Sequence, residues 1–72
     1  MDLRDKLDDL FTYHPPTPDQ AAQYEAIRAA ALVFARVALD NSPTSADQTA
    51  GVRKIREAVM TFNAAIATKG IS

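Results

Sequence analysis

Proline at positions 15, 16, 18 and 43 decides which stretches of this chain can be helical. A proline inside a helix removes a backbone donor and clashes with the preceding turn, at a cost of about 3 kcal/mol. Pro15, Pro16 and Pro18 therefore cannot sit within one continuous helix, and Pro43 follows the turn-like Asp40-Asn41-Ser42. Between these breaks the chain is rich in alanine and holds only two glycines, Gly51 and Gly70, which favours helix because alanine loses no side-chain entropy in a helical backbone. Three helical segments remain.

The first runs from about Asp2 to Phe11, with Asp2 placed to cap and Leu3, Leu7, Leu10 and Phe11 on one stripe. A helix of about ten residues is marginal on its own. It is expected to dock its leucine stripe onto the other helices or onto a neighbouring chain. The second, residues 18–40, starts at a capping box: Thr17 can accept from the first turn, Gln20 can reach back, and Pro18 takes the tolerated first position. Its core face is Tyr24, Ile27, Ala31, Phe34 and Ala38. The third, about residues 45–69, opens on Ser45 and Gln48 as a second capping box and stops at Gly70, with Val52, Ile55, Val59, Phe62 and Ile66 as its core face. A short connection, Asn41 to Thr44, makes these two an antiparallel hairpin. The expected fold is all-α: residues 1–72 form a single domain, a short N-terminal helix followed by a two-helix hairpin.

One hairpin cannot cover all the apolar surface this pattern supplies. Helix two carries a second stripe at Leu32, Ala35 and Leu39, with Val33 and Val37 widening the first, and helix three adds Met60, Ala64 and Ala67. A helix apolar on more than one side is buried on more than one side. Further copies of the same chain are the expected cover, giving a compact homo-oligomer.

Size and charge narrow the functional classes. A chain of 72 residues allows one small domain, and the absence of cysteine leaves neither disulfides nor a thiolate zinc site to reinforce it. Eight Lys+Arg against nine Asp+Glu give a net charge of −1, which argues against the basic surface that duplex DNA binding needs. No apolar run approaches the roughly 20 residues of a membrane span, and Asp2, Asp5, Asp8 and Asp9 are the opposite of a basic signal-peptide start, so a soluble, cytosolic protein with neither a DNA nor a membrane partner is expected.

Helix building leaves Phe11-Thr12-Tyr13-His14-Pro15-Pro16-Thr17 unexplained. Adjacent prolines stiffen it toward extended backbone, and a stiff linker presenting a phenol and an imidazole is a plausible platform for stacking a nucleobase. The alternative is that Tyr13 packs on the hairpin and His14 is solvated or donates to a carbonyl. As the single histidine, His14 has no partners at metal-ligand spacing. Glu25 or Glu57 could be imagined beside it, yet no nucleophile with a base and no glycine-rich phosphate loop can be identified, so no catalytic residue, metal or cofactor is expected. Arg28 lies one position past the core residue Ile27 and leads the second stripe, at the edge of a subunit interface. There it could pair with a neighbour's carboxylate or grip a phosphate through its planar fork. Arg53, Lys54 and Arg56 read as solvated surface, and Lys69 suits the negative end of its helix.

The pieces Phe11-Thr12-Tyr13-His14-Pro15-Pro16, Tyr24-x-x-Ile27-Arg28-x-Ala30-Ala31 and Asn63-Ala64-Ala65-Ile66-Ala67 together resemble a known pattern. It is that of the small phage anti-CBASS sponge proteins of the second class, which sequester the cyclic oligonucleotide messengers of bacterial antiphage signalling. The likeness implies a homohexamer, in the cytoplasm of an infected bacterial host, that binds cyclic dinucleotides and cyclic trinucleotides at separate sites without cleaving them. For the dinucleotide site it implies Tyr13 as the stacking residue and Arg28 as the basic one, with His14 beside them. Many members are expected to carry lysine where Arg28 stands, which keeps the charge and changes the geometry. For the trinucleotide site it points to Thr68 and Lys69, where this chain departs in register or residue type. A cyclic dinucleotide has two-fold symmetry, so two copies meeting on a two-fold can each offer the same tyrosine and arginine, whereas a trinucleotide suits a three-fold. The antiparallel hairpin is expected to gather Tyr13, Arg28 and Lys69 at one end of the protomer. Two other readings compete: a helical oligomeric interaction module, such as a phage regulator blocking a host protein, and a helical nucleic-acid-binding dimer.

Overall fold

A computed structural model describes residues 3–13 and 15–70. It contains three helices in chain order: α1, Leu3–Phe11; α2, Pro18–Asp40; and α3, Ala46–Ala67. Among the described residues there is no strand. The all-α expectation and the hairpin hold, and α2 begins and ends where the prolines and the Asn41 turn place it. Asp2, the expected cap of α1, lies outside the described residues, as does His14.

The start of α2 shows why capping residues are so legible. Thr17 takes extended backbone angles, φ −76° and ψ 164°, and its hydroxyl accepts from the Gln20 amide at 3.2 Å. The Gln20 carboxamide oxygen in turn accepts from the Thr17 amide at 3.0 Å, so the box is reciprocal. At α3 only half of the expected box forms. Ser45 accepts from the Gln48 amide at 3.1 Å, but the Gln48 side chain turns away and donates to the Ser42 carbonyl and hydroxyl, each at 3.1 Å. That bond ties the interhelical turn to α3 instead of closing the cap, and α3 starts one residue later than expected, with Ser45 as its cap.

α3 also ends two residues earlier than expected. The Thr68 amide and hydroxyl both donate to the Ala64 carbonyl, at 3.0 and 2.8 Å, and Lys69 then swings to a left-handed φ of 53°. Gly70 follows at φ 82°, where its amide reaches the Ala65 carbonyl at 2.9 Å. Glycine is the residue that tolerates this conformation without strain, so Gly70 closes the helix as expected, through a two-residue left-handed turn.

α2 and α3 pack on each other as an antiparallel pair, while α1 makes no element-level contact with either. Of the two expected docking places for its leucine stripe, the chain's own hairpin is thereby removed. Leu3, Leu7 and Phe11 are exposed.

The seam between α2 and α3 is narrow. Ala31, Ile55 and Val59 line grooves on both faces of the pair, which marks them as its midline. Tyr24, Ile27, Ala38, Val52 and Ile66 are half-buried along the same seam. Phe34 and Phe62, expected in the core, are instead 62% and 59% exposed. Two helices touch along a single line, so a side chain even one step off that line stands on an outer face. Among the described residues no hydrophobic side chain is buried. The two buried residues, Gln20 at 8% exposure and Thr68 at 6%, are both polar.

Candidate functional site

The two outer faces differ in chemistry. On one, Ile27, Ala30, Phe34, Ala58 and Phe62 flank the midline in a shallow groove of about 430 Å³ that carries no charge. On the other, Leu32, Ala35, Val52 and Met60 flank it in a groove of about 330 Å³ whose remaining lining residues are Arg28 from α2 and Arg56 from α3. Neither arginine side chain has a hydrogen bond or ion pair with any described residue, and no carboxylate lines the groove. A third cleft, of about 400 Å³, wraps the interhelical turn between Phe34, Leu39, Pro43 and Gln48.

Arg28 thus stands where the sequence places it, beside Leu32 at the edge of an apolar face. Its position along the helix differs from expectation. It is ten residues into α2, about 15 Å from the start at 1.5 Å per residue, which puts it near mid-hairpin and not at the end shared with Lys69. The open end gathers other residues. There Gln20 Nε2 donates to the Ile66 carbonyl at 3.0 Å, across to the last turn of α3. The Lys69 amide donates to that same carbonyl at 3.1 Å. One glutamine side chain therefore closes the cap of α2 and clasps it to the turn that carries Lys69, a role that a capping pattern alone does not reveal.

The remaining candidates have distinct settings. Tyr13 is 81% exposed on the linker between α1 and α2 and is not among the residues lining the Arg28 groove. A tyrosine ring offered to solvent on a stiff Pro-Pro segment is free to stack on a planar partner. Just upstream, the Thr12 hydroxyl donates to the Asp8 carbonyl and closes the end of α1. Thr68 is buried and its hydroxyl proton is committed to the Ala64 carbonyl, so toward a ligand that hydroxyl can act only as an acceptor while the bond stands. Lys69 is exposed beside it.

Arg56 is the residue that sequence reasoning missed. It sits in the run Arg53-Lys54-Ile55-Arg56, which reads as solvated surface until the helices are set in register. The available signal was spacing: Arg56 precedes Val59 and Met60 on α3 as Arg28 precedes Ala31 and Leu32 on α2.

The fold is an all-helical hairpin that buries no hydrophobic side chain among the described residues, with an arginine-rimmed groove on one face and an exposed tyrosine on its linker. Residues 4–67 match the hairpin domain of Acb2/Tad1, and the chain belongs to that family, the anti-CBASS sponges. No curated protein and no solved structure matches it. Among the described residues no helix is long and apolar enough to cross a membrane.

Proposed function

We propose that this protein is a phage immune-evasion factor that sequesters the cyclic dinucleotide messengers of CBASS signalling, and cyclic trinucleotides at a separate site, without cleaving them. Family membership over residues 4–67 carries this reading. The chemistry of the groove supports it. Arg28 supplies a planar cation for a phosphodiester beside apolar surface suited to ribose and base, and Tyr13 supplies a stacking ring. Tyr13 and the groove belong to different parts of one chain, which fits a site completed where two copies meet on a two-fold axis. Each copy would then give the same tyrosine and arginine to a two-fold symmetric ring. His14 is assigned to this site by the family likeness alone. The trinucleotide site falls to Lys69, with Thr68 as its anchor, and the working assembly is a homohexamer in the cytoplasm of the infected host.

The test is calorimetric titration against a panel of cyclic di- and trinucleotides and the matching linear dinucleotides. Tight binding of cyclic species, with a rise in unfolding temperature that linear ones do not cause, is the expected outcome. After long incubation the bound messenger should be recovered intact from denatured protein. Linear or mononucleotide products from a nuclease-free preparation would make the protein an enzyme. Binding dominated by duplex DNA, with steep salt dependence, would make it a nucleic-acid binder.

A further inference from the structure

The arginine-rimmed groove contains more positive charge than the sequestration reading uses. Arg28 and Arg56 rise from different helices onto the same groove, and every other lining residue is apolar: Ala31, Leu32, Ala35, Val52, Ile55, Val59 and Met60. Two like charges thus stand beside one apolar floor, with no carboxylate among the lining residues. The chain as a whole has a net charge of −1, so this doubling is a local segregation and not part of a general basic surface. An anion that meets both guanidinium groups gains charge-assisted hydrogen bonds from two helices at once.

We infer that Arg56 is a second phosphate-gripping residue of the cyclic-dinucleotide site, acting with Arg28 across the α2–α3 groove. The inference rests on the sequestration reading. A phosphodiester joined to a flat, weakly polar base matches the groove in both respects: the anion meets the two forks, and the ribose and base cover the aliphatic floor. In a site shared by two copies on a two-fold, each phosphate of the ring would meet one Arg28 and one Arg56. Arg53 and Lys54 neighbour Arg56 in sequence but are not among the groove's lining residues, so they share its charge without its position.

The test compares wild type with Arg56→Ala, Arg56→Lys and the control Arg53→Ala, titrated with whichever of cyclic di-AMP, cyclic di-GMP and cyclic GMP-AMP the wild type binds most tightly. Loss of one charge-assisted bond from each of the two copies predicts that Arg56→Ala weakens binding by at least about 100-fold. Arg56→Lys should recover part of that loss, since it restores a point charge without the planar fork, and Arg53→Ala should leave affinity unchanged. The unliganded Arg56→Ala protein should keep its unfolding temperature and its assembly mass, because Arg56 is exposed and its side chain bonds no described residue. Wild-type affinity in Arg56→Ala overturns the assignment. So does an affinity loss that comes with a fall in assembly mass, which would make Arg56 the partner of a carboxylate on another copy. If Tyr13→Ala abolishes binding while Arg56→Ala does not, only Arg56 has been misplaced. If the wild type binds no cyclic dinucleotide, the sequestration reading falls and the role of Arg56 with it.

Discussion

At the scale of single residues, Gln20 shows how one side chain can serve two structures at once. Its oxygen completes the cap of α2 through Thr17, and its amide group donates to Ile66 at the far end of α3. Gln20→Glu keeps the cap, since glutamate serves equally well at that position, but sets a carboxylate oxygen against the Ile66 carbonyl. Thr17→Ala does the reverse, removing the cap hydroxyl and leaving the clasp. Thermal unfolding should show Gln20→Glu destabilised by about 1 to 3 kcal/mol and Thr17→Ala by about 1 kcal/mol. A Gln20→Glu protein as stable as wild type would mean that the clasp contributes nothing. Tyr13 and Arg28 are the residues at which the proposed binding is tested apart from folding. Both side chains are exposed and neither has a hydrogen bond to a described residue, so Tyr13→Ala and Arg28→Ala should leave helicity and assembly mass intact. Loss of stacking should cost about 1 to 3 kcal/mol per base, and loss of a phosphate contact about 1.5 to 3 kcal/mol. Equal dinucleotide affinity in wild type and both variants, measured calorimetrically, would show that the pocket lies elsewhere.

At the scale of elements, local chemistry was legible in the sequence and the depth of packing was not. Prolines and caps gave α2 to the residue, because Thr17, Pro18 and Gln20 act within one turn of chain. α3 opens behind its expected cap, Ser45, although the Gln48 side chain bonds Ser42 instead of closing the box, and it ends two residues early because the Thr68 hydroxyl bonds Ala64 ahead of a left-handed Lys69. Periodicity placed Phe34 and Phe62 on core stripes, yet periodicity defines a face and cannot say how much of it a partner covers. The same gap hid Arg56, whose opposition to Arg28 exists only once α2 and α3 are set side by side. α1 is the extreme case. Its nine residues have a clear apolar stripe and no surface in their own chain to receive it. So short a helix is marginal unless it docks, and the expected receiver is another copy. Leu7→Asp should therefore lower the unfolding temperature at fixed protein concentration and blunt its rise with concentration. Unchanged behaviour would mean that α1 docks nowhere.

At the scale of the whole molecule, the hairpin is one layer of two helices, and a single layer has two outer faces. One presents Phe34 and Phe62, the other Leu32 and Met60, and all four side chains are exposed in the single chain. A domain needs at least two packed layers around an apolar interior, and the expected second layer is another copy of the hairpin. Association through one face alone would give a dimer with the opposite face still bare, whereas covering both faces requires more than two copies. Light scattering at micromolar concentration should accordingly give a mass above that of a dimer. Leu32→Asp and Phe62→Asp probe the two faces separately, because an unpaired carboxylate buried in either interface costs several kcal/mol. Each substitution alone should reduce the mass, and each should leave a smaller species still joined through the untouched face. A wild-type protein of monomer mass would remove the need for any interface. If Phe62→Asp changes nothing while Leu32→Asp dissociates the protein completely, a single face holds the assembly and the phenylalanine groove is open surface.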